Sequence, residues 1–139
     1  MENDYSILKE FDYPPQEVSR GYTDRTLYVN LSSREIISKS VSQAMKDIFI
    51  GGRGFGLRLL WDGITSKTKW DDPENEIVIS SGPIGGITQY PGTGKSIVVS
   101  VSPTTEMVVD SNVGGYYGPY LKFAGWDAIE IQGKANQEV

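Results

Sequence analysis

Pro91-Gly92-Thr93-Gly94-Lys95-Ser96-Ile97-Val98-Val99-Ser100-Val101 supports two incompatible readings, and the choice between them decides the fold class. Gly94-Lys95-Ser96 matches the end of a Walker A phosphate loop, in which the Lys-Ser pair would open a helix. The first glycine of that motif falls at position 89, which is Gln89, and the residues after Ser96 form a β-branched run of the kind that fills strands. We therefore read a glycine-containing loop that leads into a strand, where backbone amides and the Lys95 ammonium can still meet an anion. A nucleotide-binding α/β fold is set aside, and an α+β fold of antiparallel or mixed sheet with a few short helices is expected.

Working outward, Ser102-Pro103-Thr104-Thr105 supplies turn chemistry, and Glu106 to Asp110 is the expected antiparallel partner strand. Asp110 to Gly118 is read as a strand-to-helix turn, with Asn112 in its left-handed position. Such a turn suits either a plain cap or a site where phosphate meets a divalent cation, since hard cations take oxygen ligands. A helix is predicted from Tyr116 to Ala124, stopped by Gly125, and a last strand from Asp127 to Ile131, closing on Gly133.

Upstream, Leu27, Val29 and Leu31 alternate with polar residues, Ser32-Ser33 turns, and Glu35 to Lys39 returns as a hairpin partner. Ser42 is placed to cap a short helix ending near Ile48. Phe55, Leu59, Leu60 and Ile64 share one face of a helix predicted from Arg53 to Ile64. Glu76 to Ser80 reads as a buried strand ending at Gly82-Pro83. Residues 1–25 show no periodicity and are read as an extended arm, with residues 26–139 as the domain proper.

Glycine placement is the most informative feature. Gly51, Gly52, Gly54 and Gly56 form one cluster, positions 82, 85, 86, 92 and 94 a second, and Gly114, Gly115 and Gly118 a third. Glycine lets backbone amides approach a ligand closely, so three such loops can converge on a large polar molecule; they can equally serve as turns. Gly52-Arg53-Gly54-Phe55-Gly56 is not a dinucleotide fingerprint, because the third glycine would fall at Leu57.

The chain has 139 residues, no Cys and no His. Structural zinc, iron–sulfur ligation and Ser-His or Cys-His catalysis are therefore excluded within it. Asp71, Asp72 and Glu74 read as a solvated loop and not as an acid/base pair. A net charge of −5 without a basic stripe argues against nucleic acid. No apolar run approaches a membrane span and the start is acidic, so a cytoplasmic location is expected.

The ordered series Leu27-Tyr28-Val29-Asn30-Leu31-Ser32, Gly51 to Gly54, Asp72-Pro73-Glu74-Asn75, Ser81-Gly82-Pro83, Pro91 to Lys95, Ser100 to Pro103, Asn112 to Tyr116, Leu121 to Ala128 and Gly133-Lys134 resembles the N-terminal domain of the tungsten-containing aldehyde:ferredoxin oxidoreductases. Their relatives include the tungsten subunit of benzoyl-CoA reductase. The resemblance implies a β-sheet base under a tungsten (or molybdenum) bis-pterin cofactor, with Asn112 supplying an oxygen to the Mg²⁺ that bridges the pterin phosphates and Gly114 contacting the cofactor. Lys95 stands where the aldehyde oxidoreductases carry an Arg; it keeps the charge but loses the planar fork.

The resemblance further implies [4Fe–4S] ligands in later domains, the remaining domains or subunits as partners, and aldehyde oxidation coupled to ferredoxin in the whole enzyme. This chain by itself is not expected to turn over. A non-enzymatic oligomerising domain, using the aromatic-rich segment from Tyr116 to Trp126 as an interface, is the alternative from a different class.

Overall fold

The structure, a computed structural model, describes residues 6–136. The acidic start, Tyr5 and residues 137–139 lie outside the described part. In chain order the elements are β1 (Arg25–Asn30), β2 (Glu35–Ser40), α1 (Gln43–Phe49), α2 (Arg53–Gly63), β3 (Glu76–Ser81), β4 (Ser96–Val101), β5 (Val108–Val113), α3 (Tyr117–Phe123) and β6 (Ala128–Gln132). The expected α+β class is the one observed. The strands form one mixed sheet in the order β2-β1-β6-β3-β4-β5.

Both expected hairpins form, β1 with β2 and β4 with β5, each antiparallel. The last strand, β6, enters the middle of the sheet, parallel to β1 and antiparallel to β3. Ser42 caps α1 as its sequence position suggests, accepting the Met45 amide at 3.1 Å.

One strand departs from expectation. The second strand of the β4–β5 hairpin was expected over Glu106 to Asp110, with Asn112 in a turn; β5 instead runs Val108–Val113, and Asn112 pairs with Ile97. The cause is the loop. Glu106 takes a left-handed conformation (φ 55°) and the Ser102 amide donates to the Met107 carbonyl at 2.9 Å, which delays the strand by two residues. All six β5 residues are exposed, so the polar Asp110-Ser111-Asn112 run meets no burial penalty on this edge.

Helix α2 covers one face of the sheet. Leu60 joins Val78, Val99 and Ala128 in the core, with Leu59, Ile64 and Ile97 packed against it, while Phe55 is buried alongside. Close approach depends on Gly56, where an added Cβ would lie 2.6 Å from Val99 Cγ2. The opposite face is apolar and largely open: Leu27, Val29, Ile79, Val98, Ile129 and Ile131 are half-buried, and Ile77 is 44% exposed.

The α2 face also holds two buried carboxyls. Val78 pairs with Glu130, which puts Glu76, two residues earlier on β3, on the same side. Glu130 accepts from the Thr26 hydroxyl and the Lys39 ammonium, both at 2.6 Å. Glu76 lies under Gly63, and its Oε1 has no hydrogen-bond partner. Burial first, then the neighbouring Glu130, raise the Glu76 carboxyl to about 7; Asp62 adds to this and Lys39 opposes it.

A raised carboxyl pKa means that folding favours the protonated form. The stabilisation is present in full below the unfolded value near 4.5 and is lost as pH rises through about 7. The loss has an upper bound of about 3 kcal/mol for a shift of this size. Urea unfolding at pH 5 and pH 8.5 should show a fall for the natural chain and a much smaller one for Glu76→Gln; equal falls in both would remove Glu76 as the cause. A second expectation concerns the open face. Expressed alone, this segment should self-associate by light scattering, and Ile77→Lys should reduce that; a monomer at all concentrations would show that the face needs no cover.

Candidate functional site

Where β3 stops, β4 starts and α2 begins, a cavity of about 200 Å³ is lined by residues that include Gly52, Ser80, Gly82, Gly92, Thr93 and Lys95. The turn that brings Gly52 there is tight: Ile50 has φ 64° and Gly52 φ 52°. It is pinned to the sheet by the Ser80 hydroxyl, which donates to the Gly52 carbonyl at 2.6 Å, and by the Gly52 amide, which donates to Ser81 at 3.1 Å. Gly52 is also the N-cap of α2, and no side chain caps the helix. The positive end of an 11-residue helix therefore opens at the cavity wall.

The opposite wall is the 82–95 loop, folded on Thr93. The buried Thr93 hydroxyl donates to the Ile87 carbonyl at 2.9 Å and lies 3.2 Å from that of Tyr90, while the Gly86 amide donates to the Thr93 carbonyl at 3.1 Å. Gly92, at φ 85°, makes the bend that turns the chain toward Lys95. Lys95 is exposed, and among the described residues it forms no ion pair.

The three glycine clusters fall into two physical classes. At Gly82 and Gly92 an added Cβ would meet nothing within 4 Å, and at Gly52 only the Gly82 amide at 4.0 Å, so at these three positions the missing side chain leaves open space on the cavity wall. Gly115 is open in the same way, off the cavity wall, while other glycines permit close contact: a Cβ at Gly94 would lie 2.6 Å from the Gly115 carbonyl oxygen and one at Gly54 2.4 Å from the Phe49 carbonyl oxygen. The Gly94–Gly115 contact brings the third cluster against the second.

Two of the three site residues expected from the sequence are adjacent. Lys95 Nζ is 3.7 Å from the place a Gly114 Cβ would occupy. Asn112 lies on strand β5 and not in a turn, directly across from Ile97, which lines the cavity; antiparallel partners share a face, so Asn112 stands beside that wall. Among the described residues no group of three or more Asp, Glu, His or Cys could hold a metal. A cation at Asn112 would take its other oxygens from backbone and from the ligand itself. Arg53, at the start of α2, is exposed and paired with the carboxylate of Asp110 on β5 at 2.8 Å.

Sequence reasoning missed Ser80 and Thr93. Nothing in an isolated Ser within a strand or a Thr between glycines signals that it pins a loop. A Walker A reading finds no support, since Ser96 opens a strand, and α2 follows a helix, which removes a dinucleotide fold as well.

Residues 26–139 match the family description "Aldehyde ferredoxin oxidoreductase, N-terminal domain". The chain belongs to this family. It is 39% identical over 119 residues to the tungsten-containing aldehyde ferredoxin oxidoreductase of Pyrococcus horikoshii, a match covering 86% of this chain and 19% of that protein. It is 37% identical over 122 residues to an aliphatic sulfonate oxidoreductase, WOR-like subunit, of Pyrococcus furiosus, again covering 86% and 19%. Among solved structures, the active site complex BamBC of benzoyl coenzyme A reductase, in complex with 1,5-dienoyl-CoA, superposes with a TM-score of 0.80 at 31% identity, covering 84% of this chain and 18% of that one. The chain thus spans about a fifth of the length of these relatives. Within the aldehyde ferredoxin oxidoreductase family fold, the cavity sits where the end of β3, the start of β4 and the N-terminus of α2 meet.

The two classes of glycine predict opposite responses to the same substitution. Gly82→Ala should leave urea stability within about 0.5 kcal/mol of the natural chain, because its Cβ enters open space. Gly56→Ala should lose about 1–2 kcal/mol through overpacking against Val99. Equal losses would mean that the wall at Gly82 is packed.

Proposed function

We propose that this domain is the cofactor-holding part of a tungsten (or molybdenum) bis-pterin oxidoreductase. The observation that carries the reading is the convergence of three side-chain-free positions, Gly52, Gly82 and Gly92, with Lys95 around one cavity, Gly114 lying beside Lys95, in a member of this family. The residues fit such a group. A pterin with its phosphate is large, polar and anionic; the site offers open backbone, a helix N-terminus and an ammonium that no carboxylate among the described residues neutralises.

Lys95 would compensate phosphate charge as a point cation. Gly114, beside it, would let the backbone touch the cofactor, and Asn112 would offer its side-chain oxygen to a bridging Mg²⁺. The cavity walls would orient the cofactor and exclude water from one side of it. When bound, the metal–dithiolene centre supplies the two-electron chemistry. With no Cys or His in the chain, electron transfer through a [4Fe–4S] cluster falls to the remaining domains or subunits.

For the whole enzyme we propose aldehyde oxidation to the acid with ferredoxin as acceptor, in the cytoplasm. A second reading, reduction in the manner of the benzoyl-CoA branch, is favoured by one observation: the fold superposes on a benzoyl coenzyme A reductase complex at a TM-score of 0.80.

In the full-length protein, Lys95→Ala and Asn112→Ala should each lower tungsten per protomer, measured by elemental mass spectrometry after gel filtration, by roughly tenfold, the loss expected when one charge-assisted contact to a bound anion or cation is removed. Lys95→Arg should retain it. Full tungsten content in both alanine variants would remove these residues from the site.

A further inference from the structure

We propose that the Arg53–Asp110 ion pair is a positioning element that holds strand β5, and with it Asn112, against the α2 wall of this cavity; the proposal rests on the cofactor-holding reading above. Arg53 is the first residue of α2, next to Gly52 on one wall, and Asp110 is on β5, the strand that sets Asn112 across from the lining Ile97 and leads to Gly114 beside Lys95. Arg53 places both Nε, at 2.9 Å, and Nη2, at 2.8 Å, on the same oxygen, Asp110 Oδ2.

The strand it holds is otherwise weakly fixed. β5 is an edge strand with β4 as its single neighbour in the sheet, and all six of its residues are exposed. Among the described residues, Asp110 provides the one side-chain hydrogen bond from β5 to another element. Asp110 pairs with Val99 and Asn112 with Ile97, so both face the side where α2 packs, two residues apart along the strand. A shift of β5 at Asp110 therefore moves Asn112 with it.

The pair is too exposed to matter for global stability. The side chains are 59% and 29% accessible, and ion pairs of this kind contribute little to folding. What it restricts is local: an unpaired strand edge frays, and a tie at its midpoint limits that fraying. The competing role for Arg53 is direct contact with an anionic ligand, since its Nη1 is not used by Asp110. The two roles separate cleanly, because a tie needs both partners and a direct contact needs only the arginine.

The test uses the full-length protein with Arg53→Gln, Asp110→Asn and the double variant. Two quantities are measured: amide hydrogen exchange over residues 108–114, and tungsten retained per protomer after prolonged dialysis. A tie predicts faster exchange, by roughly threefold to fivefold, in each single variant and no further increase in the double, with the unfolding midpoint unchanged. Retained tungsten should fall in parallel in all three. Loss of tungsten in Arg53→Gln with normal retention in Asp110→Asn would overturn the tie in favour of direct contact. Unchanged exchange, or faster exchange with full tungsten retention, would also overturn it. The underlying reading is tested apart: full tungsten in Asn112→Ala sinks the cofactor site itself, whereas loss there with normal Arg53→Gln and Asp110→Asn sinks only the tie.

Discussion

A charged carboxylate in the interior is tolerable only when its lone pairs are met, and Asp127, fully buried, meets them from three directions. It accepts the Thr23 amide at 3.1 Å, the Asp24 amide at 2.9 Å and the ammonium of Lys122, itself 2% exposed. Lys122 donates in turn to the Gly21 carbonyl at 2.9 Å. Removing either charge would strand the other at a cost of about 3–5 kcal/mol. The pair sits at the entry of β6: the Asp127 amide donates to Arg25 at 2.9 Å and its carbonyl accepts from Ser81 at 3.1 Å. The last strand is thus fixed between the first and the third by the residue whose side chain gathers the turn before β1.

That turn also reaches both cavity walls. Gly21 is packed so tightly on Pro83 that a Cβ would lie 2.1 Å from the Pro83 carbonyl oxygen, and Pro83 follows the open Gly82. The neighbouring Tyr22 hydroxyl donates to the Ile50 carbonyl at 2.6 Å, just before Gly51-Gly52. Ile50 is β-branched and sits at φ 64°, ψ −51°, a strained γ-turn closed by the Gly51 amide donating to the Phe49 carbonyl at 2.6 Å and costing about 1–3 kcal/mol, and the surrounding bonds must hold it there. Arg25 completes the anchorage, lying over the rings of Trp126 at 4.4 Å and Tyr13 at 5.2 Å. One buried ion pair therefore governs strand insertion and, through its neighbours, loops that line the site.

This explains which parts were legible beforehand. Hairpins and helices follow local rules: the alternation in Leu27 to Leu31, the Ser42 cap and the Phe55–Leu60 face are all visible within a dozen residues, and all are where expected. The start of β5 was not, because a left-handed Glu106 is not signalled by its side chain. Neither was the central place of β6, which depends on Asp127 meeting amides more than a hundred positions earlier. At the site, Lys95 and the glycines announced themselves by composition. The Arg53–Asp110 pair did not, since a carboxylate 57 residues away on an edge strand leaves no local trace.

Glycine alone does not make a binding site; it makes backbone accessible, and accessible backbone binds well only if it does not move. Here mobility and rigidity are divided. The open positions Gly52, Gly82 and Gly92 offer space, while Ser80, Thr93 and the tight glycine contacts at Gly94 and Gly54 remove the freedom that glycine would otherwise bring. A cradle of this kind needs no thiol or imidazole of its own. The chain has neither Cys nor His, so on the cofactor-holding reading proposed above its contribution would be shape, amides and the Lys95 ammonium, which forms no ion pair among the described residues.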